Sequence, residues 1–93
     1  LGHWRSLIQA RAIENQSYFI ATNQCGIERH GSSIGKCEYF GHSLVVDPWG
    51  QILMEASESE GVYLADIDLL EVANARGRLT ALKDRRPELY YNA

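Results

Sequence analysis

The chain has 93 residues, of which 45% are hydrophobic and 23% are charged, proportions typical of one globular domain and unlike those of disordered or fibrous proteins. Its formal net charge of -3 argues against a nucleic-acid-binding protein, because phosphate binding depends on clustered Lys and Arg. The longest apolar run, YFIA, is far shorter than the roughly 20 residues of a membrane-spanning helix, so no membrane partner is expected.

The cellular location is predicted from the amino terminus and from the two cysteines. The first residues lack the basic, apolar and small-residue layout of a secretory signal. A single pair of cysteines, Cys25 and Cys37, could form one disulfide, but it is weak evidence for an oxidising compartment in a chain long enough to build a core. We therefore expect a cytoplasmic protein with free thiols.

The first predicted element is a helix over residues 3–16. Trp4, Leu7, Ile8 and Ile13 follow the helical period, and alanines on more than one side suggest that two faces are covered. In the motif RAIEN, Arg11 and Glu14 stand three residues apart and precede Asn15. An exposed ion pair at this spacing contributes only about 0.2 to 0.5 kcal/mol, so Arg11, Glu14 and Asn15 are interpreted as part of a structural or interface helix rather than a catalytic site.

The next two segments are predicted as a strand and a long loop. Residues 18–22 form a short continuous apolar run, a pattern typical of a strand buried on both faces. Residues 24–41 contain four glycines, two serines and mixed charges, which favours a loop. Loops of this length are uncommon in compact domains unless they serve a function, so this segment is expected to border a site.

A hairpin, a strand and a second helix complete the predicted elements. Two apolar runs flank Asp47-Pro48-Trp49-Gly50, which has Pro and Gly where a type I hairpin turn requires them. The run VYLADIDL, residues 62–69, predicts another strand. Asp68 and Glu71 have the spacing of a capping box, and a helix over residues 69–82 should follow.

The order of helix, strand, β-hairpin, strand and helix predicts an α/β layout. Two helices give too little cover for a sheet of at least four strands that includes a doubly buried one. We therefore expect this chain to belong to a larger assembly, either a homo-oligomer or a longer chain.

Individual residues offer no convincing active site. Cys25 and Cys37 with His30 and His42 could form a thiol with its base or a zinc site, but the cysteine spacing of twelve does not fit compact zinc sites. Loop thiols and surface histidines are the favoured interpretation. His42, Ser43 and Asp47 supply the letters of a hydrolase triad, yet the second glycine of a nucleophile elbow is missing.

Three ordered motifs, HWRSLIQARAIENQSYFIATNQCG, EYFGHSLVVDPWGQIL and DRRPELY, resemble the carboxyl-terminal part of the nitrilase superfamily, the carbon-nitrogen hydrolases, and most of all its omega-amidase-like members. The resemblance implies a partial αββα sandwich of the nitrilase type, with residues 1–93 as a single carboxyl-terminal segment. It implies hydrolysis of small amides by a Glu-Lys-Cys triad, without a metal or organic cofactor, and frequent dimerisation through helices.

The triad residues implied by this resemblance lie in family segments that precede the present one. Neither Cys25, which leads into GIERH, nor Cys37, which leads into EYFGH, has the sequence context of the family nucleophile. No catalytic residue is therefore carried over. Tyr39, Phe40 and His42 are expected at most at the rim of a pocket.

Two functions remain open at this point. The chain is either the carboxyl-terminal portion of an amidase-type hydrolase whose triad lies outside it, or a non-catalytic oligomerisation or interaction module derived from that fold.

Overall fold

The computed structural model describes residues 1–29 and 36–90, with the backbone alone for residues 28, 29, 36 and 37. The elements in chain order are α1 (Gly2–Asn15), β1 (Phe19–Ala21), β2 (Cys25–Arg29), β3 (Lys36–Phe40), β4 (Leu44–Val46), β5 (Ile52–Glu55), α2 (Leu70–Arg78) and α3 (Pro87–Tyr90). None of the described helices is long and apolar enough to cross a bilayer. This mixture of helices and antiparallel sheets confirms the α/β class.

The core lies between α1 and a three-stranded antiparallel sheet with the strand order β1-β4-β5. The central strand β4 is buried along its whole length, and in the β1–β4 ladder Ala21 pairs with Leu44. Ile8 and Ala12 of α1 pack on these two residues and on Val46. Burial of this small apolar cluster is the main stabilising contribution that the described residues show.

Helix α1 confirms the predicted first helix but is covered on one face only. Ile8 and Ala12 are buried, whereas Leu7 and Ile13 are exposed. The helix ends where Gln16 adopts a left-handed conformation with φ of 49°. The N–H of Ser17 then donates to the carbonyl of Ala12, which is the bond that closes a Schellman-type helix end.

The carboxyl ends of α1 and α2 cap each other. The side chain of Gln16 is 3% exposed, and its Nε2 donates to the carbonyls of Ala75 at 3.3 Å and Leu79 at 2.6 Å. In return, Arg76 donates to the carbonyls of Gln16 and Asn15. Each helix end thus supplies donors for the orphan carbonyls of the other, and the Arg76 cation also suits the negative ends of both helix dipoles.

The hairpin between β4 and β5 is confirmed, with its turn at the predicted position. The N–H of Gly50 donates to the carbonyl of Asp47 at 3.0 Å. The Asp47 carboxylate accepts from the N–H groups of Trp49 and Gln51, both at 2.9 Å. Gly50 has φ of +87°, which favours glycine. The Asp47 side chain therefore satisfies the turn backbone and is occupied structurally.

The loop predicted over residues 24–41 is wrong, because β2 and β3 form an antiparallel hairpin there. Residues 30–35 lie outside the described part of the chain, and the predicted candidate His30 is among them. The hairpin was missed because it is largely exposed: Ile27, Glu38 and Phe40 all face solvent substantially. Without a buried face, a strand needs no alternation of apolar and polar residues, so its sequence carries little strand signal.

The strand predicted over residues 62–69 is also wrong for this structure, in which residues 61–68 form neither helix nor strand. Val62 and Leu64 are 92% and 89% exposed. A strand exists only through its ladder with a neighbour, and none of the described strands forms a ladder with this segment. The apolar pattern of this segment therefore indicates a surface that a neighbouring element outside these 93 residues would cover.

Helix α2 confirms the second predicted helix but is shorter than residues 69–82. The predicted capping box is not formed, because Asp68 accepts from the N–H of Leu70 through Oδ1 while Leu69 is the N-cap residue. At the other end Leu79 is extended, and its carbonyl is held by Gln16. The Leu79 carbonyl therefore accepts from Gln16 where a longer helix would have it accept from a backbone N–H of the next turn.

The second face of the three-stranded sheet carries Ile20, Val45 and Met54 in register. Val45 is buried and Met54 is half-buried, but no helix among the described elements packs on this face. We call it the open face. Ile20 is 57% exposed, and Leu53, at the β-bulge beside it, is also exposed. The expectation that β1 is buried on both faces is therefore wrong for this chain alone. An apolar sheet face of this kind ordinarily packs against another layer.

Candidate functional site

A cavity of about 400 Å³ opens beside the junction of β3 and β4. Its walls come from the segment before β2, from the β3–β4 junction, and from residues 56–63 after β5. The titratable groups that line it are Cys25, His42, Glu60 and Tyr63, and Ser43, Ser57 and Ser59 add hydroxyl groups. This cavity is the candidate site, because it gathers polar side chains from segments far apart in sequence.

The β3–β4 junction holds its shape through two successive residues with positive φ. Gly41 has φ of +75°, and a Cβ there would lie 2.9 Å from the Ser57 carbonyl oxygen. His42 follows with φ of 56°, which is uncommon for a residue with a side chain. The N–H of His42 donates to the Ser57 carbonyl, and its own carbonyl accepts from Trp4 Nε1 at 2.7 Å. The junction is thus fixed to α1 on one side and to the cavity wall on the other.

A cluster of charged groups surrounds the His42 ring. Arg5 donates to both carboxylate oxygens of Glu55, at 2.6 and 2.5 Å. His42 Nδ1 lies 3.7 Å from Glu55 Oε2, and His42 Nε2 lies 3.3 Å from Glu58 Oε1. The hydrogen bond from Arg5 holds the pKa of Glu55 below its ordinary value, and the same bond raises the pKa of Arg5. This bidentate pair connects α1 to β5, 50 residues apart.

The Arg5–Glu55 pair predicts a loss of stability in acid. Because the pKa of Glu55 is lowered in the folded chain, the pair stabilises the fold above the ordinary glutamate pKa of about 4.3. That contribution is lost as the pH falls below this value. We expect Glu55→Gln to reduce the difference in urea midpoint between pH 6 and pH 3.5. The matched control is Glu14→Gln, whose exposed pair with Arg11 should leave that difference unchanged; equal effects of both variants would contradict the prediction.

Two groups in the cavity could in principle react, Cys25 and Tyr63. The Tyr63 hydroxyl lies 3.0 Å from Ser57 Oγ and accepts from the Ser57 N–H at 3.3 Å, and these hydrogen bonds lower the pKa of Tyr63. Cys25 is a free thiol of intermediate exposure. Within the described residues it has no hydrogen bond or ion pair to a base or a cation, and such a contact is what orients and activates a nucleophilic thiol.

The metal and disulfide alternatives for the cysteines find no support in the described residues, where no group of three His, Cys, Asp or Glu side chains could hold a metal ion. In the β2–β3 ladder Cys25 pairs with Phe40, while Cys37 pairs with Glu28. The two cysteines are therefore three ladder positions apart, about 10 Å along the strands. That separation is too great for a disulfide.

His42, Ser43 and Asp47 do not form a catalytic triad. Ser43 Oγ donates to the Asn23 carbonyl and accepts from the Asn23 N–H. The Asp47 carboxylate is bound in the hairpin turn, and the His42 ring faces Glu55 and Glu58. All three side chains have structural partners, so this triad interpretation is set aside.

The three residues expected at a pocket rim lie close together without lining one cavity. The rings of Phe40 and His42 are 4.5 Å apart, and His42 lines the candidate site. Tyr39 and Phe40 line a separate groove on the β2–β3 hairpin. Their place at a substrate pocket stays a prediction. On α1, Arg11 and Glu14 form the anticipated ion pair at 2.7 Å, with both side chains exposed, and Asn15 bonds to the Arg11 carbonyl.

The sequence interpretation missed Arg5, Glu55 and Glu58 as neighbours of His42. These residues come from α1, β5 and the segment after β5, and no spacing rule connects a helix residue to a strand residue 50 positions away. The only signal in the sequence was that Arg5 lies in a helix predicted to pack on the sheet.

Comparison with known proteins gives consistent matches. The family model described as carbon-nitrogen hydrolase matches residues 2–77. The deaminated glutathione amidase of Homo sapiens is 47% identical over 90 residues, which are 97% of this chain and 26% of that protein. The 2-oxoglutaramate amidase of Bacillus subtilis (strain 168) is 43% identical over 90 residues, or 97% of this chain and 32% of that protein. This chain thus spans only about a quarter to a third of the length of these relatives.

Solved structures agree with the sequence matches. A carbon-nitrogen hydrolase from Helicobacter pylori G27 superposes with a TM-score of 0.82 and 33% identity, covering 98% of this chain and 32% of that one. The Caenorhabditis elegans NitFhit protein superposes with a TM-score of 0.69 and 39% identity, covering 95% of this chain and 20% of that one. The described architecture is thus a partial nitrilase-type fold.

Proposed function

This chain belongs to the carbon-nitrogen hydrolase family, and on that premise we propose that it is the carboxyl-terminal part of an amidase acting on small amides. The observation that carries the proposal is the similarity to relatives named as amidases, 43% to 47% identical over 97% of the chain. Since those relatives are named for 2-oxoglutaramate and deaminated glutathione, the substrate class we propose is a small carboxylate-bearing amide.

In this proposal the catalytic Glu, Lys and Cys lie outside the 93 residues. In triad chemistry of this type the thiol attacks the amide carbon, the carboxylate serves as general base, and the ammonium stabilises the oxyanion. Support comes from the short share of its relatives that this chain spans, 26% and 32%. Further support comes from Cys25. Its thiol has no hydrogen bond or ion pair to a base or a cation among the described residues.

The role proposed for these residues is to complete one layer of the sandwich. The open face, at Ile20 and Met54, and the exposed run through Val62 and Leu64 both have the apolar character of surfaces that another layer covers. A second layer of the sandwich, supplied by a larger chain, would bury these surfaces. This accounts for apolar patterns that the chain alone leaves exposed.

The second candidate is a non-catalytic oligomerisation module, and the same exposed apolar surfaces favour it when the cover comes from another copy. Homo-oligomerisation through the α1 surface that carries Arg11, Glu14 and Asn15 belongs to this proposal. The two candidates differ in one respect: the first needs a catalytic partner segment, whereas the second buries the open face with identical chains.

The purified 93-residue chain should be assayed for ammonia release from 2-oxoglutaramate and from deaminated glutathione. We expect no release above the buffer blank, because the catalytic Glu, Lys and Cys of the proposed amidase lie outside these residues. Cys25→Ser and Cys37→Ser variants serve as controls and should be equally inactive. Release that is lost in either serine variant would overturn the proposal, because it would place the nucleophile inside this chain.

A further inference from the structure

The segment that follows β5 forms one wall of the candidate cavity through Ser57, Ser59 and Gly61. Beyond the Ala56 N–H, which donates to the Ser43 carbonyl at 2.8 Å, its attachment to the rest of the fold has two parts. The first is a backbone hydrogen bond from the His42 N–H to the Ser57 carbonyl at 3.3 Å, which does not titrate. The second is the contact between His42 Nε2 and the Glu58 carboxylate at 3.3 Å, which depends on the protonation of both groups.

The surroundings of His42 present acceptors to both of its ring nitrogens. Nε2 faces Glu58, while Nδ1 is buried, lacks a hydrogen-bond partner among the described residues, and lies 3.7 Å from Glu55 Oε2. A neutral imidazole carries one N–H, so it satisfies one carboxylate and turns a lone pair toward the other. The imidazolium carries two N–H groups and satisfies both.

The charge of the cluster around His42 also favours the imidazolium form of the ring. Arg5 from α1, Glu55 from β5 and Glu58 from the segment after β5 surround the His42 ring, and together they carry a formal charge of -1. Protonation of the ring brings the cluster to neutrality. The other titratable groups that line the cavity are Cys25, Glu60 and Tyr63. The Phe40 ring packs on His42 at 4.5 Å and adds no charge.

We propose that His42 is a proton-operated latch that holds the wall of the cavity, residues 57–61, against the β3–β4 junction through Glu58. In the imidazolium form the ring bridges Glu55 and Glu58, and the wall is held by backbone and side chain together. In the neutral form the ring has one N–H for two carboxylates, so the Glu58 contact loses its ionic part and is at most a hydrogen bond to a neutral ring, while the backbone bond at Ser57 remains. Histidine is the side chain that changes charge between pH 5 and 8. This inference concerns the described cavity and is independent of the proposed amidase function.

The latch is tested by amide hydrogen exchange of residues 57–59 in the purified protein, expressed as protection factors so that the intrinsic pH dependence of exchange is removed. We expect protection to be about two- to fivefold higher at pH 5.5 than at pH 8, the effect of one largely exposed ion pair. The expected difference in protection is modest because the Glu58 side chain is 77% exposed, so solvent screens the ion pair.

Two variants and one control decide the outcome. His42→Asn keeps a side chain that tolerates positive φ but does not titrate, and Glu58→Gln removes the carboxylate while leaving the ring in place; both should abolish the pH dependence. Glu60→Gln, on the same segment, should retain it. Equal wild-type protection at the two pH values, or a dependence that persists in His42→Asn and Glu58→Gln, would overturn the latch.

Discussion

Leu44→Ala is expected to lower the free energy of unfolding by about 2 to 5 kcal/mol, a large share of what a domain of this size possesses. Leu44 is fully buried in the central strand, between Ala21 of β1 and Glu55 of β5 in register, and packs under α1. Truncation leaves a cavity between helix and sheet that the short flanking strands cannot close. The measurement is a urea titration followed by far-UV circular dichroism.

The matched control for this substitution is Leu53→Ala in the same sheet. Leu53 is exposed, so its truncation in the 93-residue chain should cost well under the Leu44→Ala value. In an assembly that covers the open face, the cost of Leu53→Ala should rise toward that of a buried leucine. Equal costs of the two substitutions in the isolated chain would show that the core does not lie between α1 and the sheet.

Gly50→Ala is expected to destabilise the fold through two separable effects. Its φ of +87° is a conformation that costs a residue with a side chain about 1 to 3 kcal/mol. The added Cβ would also lie 2.6 Å from Ile13 Cδ1 and 2.9 Å from Ile13 Cγ1, so either the Ile13 side chain must rotate away or α1 and the β4–β5 turn must move apart. The hydrogen bond from Gln9 Nε2 to the Gly50 carbonyl, at 2.8 Å, should weaken if the helix and the turn move apart.

The clash is distinguished from the backbone strain by a double-mutant cycle with Ile13→Ala. Ile13 is exposed on its outer side, so its truncation alone should cost little, and the double variant should recover the clash contribution but not the strain. Gly77→Ala is the control: nothing lies within 4 Å of its added Cβ, and alanine is favoured within a helix. A Gly50→Ala variant as stable as the parent chain would contradict the turn geometry.

Local patterns predicted the parts of the fold that local interactions determine. The helical spacing of Trp4 and Ile8 gave α1, and Asp47 with Gly50 gave the β4–β5 turn, because each depends on contacts within a few residues. The β2–β3 hairpin escaped prediction because its exposed faces carry no alternation, and the strand predicted around Val62 was wrong because a strand needs a neighbour. Both errors arise because strand formation depends on tertiary context more than on the local sequence.

The candidate site was less accessible from sequence than the fold. His42 was singled out, but its partners Arg5 and Glu55 come from α1 and β5, and their meeting depends on the packing of α1 on the sheet. Similarly, the mutual capping by Gln16 and Arg76 joins residues 60 positions apart. Pairs of this kind have no periodicity to reveal them. The family resemblance supplied the architecture, while the contacts within it required coordinates.

The central claim is that this chain completes an amidase whose triad lies outside it, and reconstitution tests that claim most directly. The Bacillus subtilis 2-oxoglutaramate amidase, truncated to remove the segment that matches this chain, is co-expressed with the 93 residues, and ammonia release from 2-oxoglutaramate is measured. We expect release from the co-purified pair and none from either part alone. Release by the 93-residue chain alone, or a folded, co-purified pair that releases none, would contradict the claim.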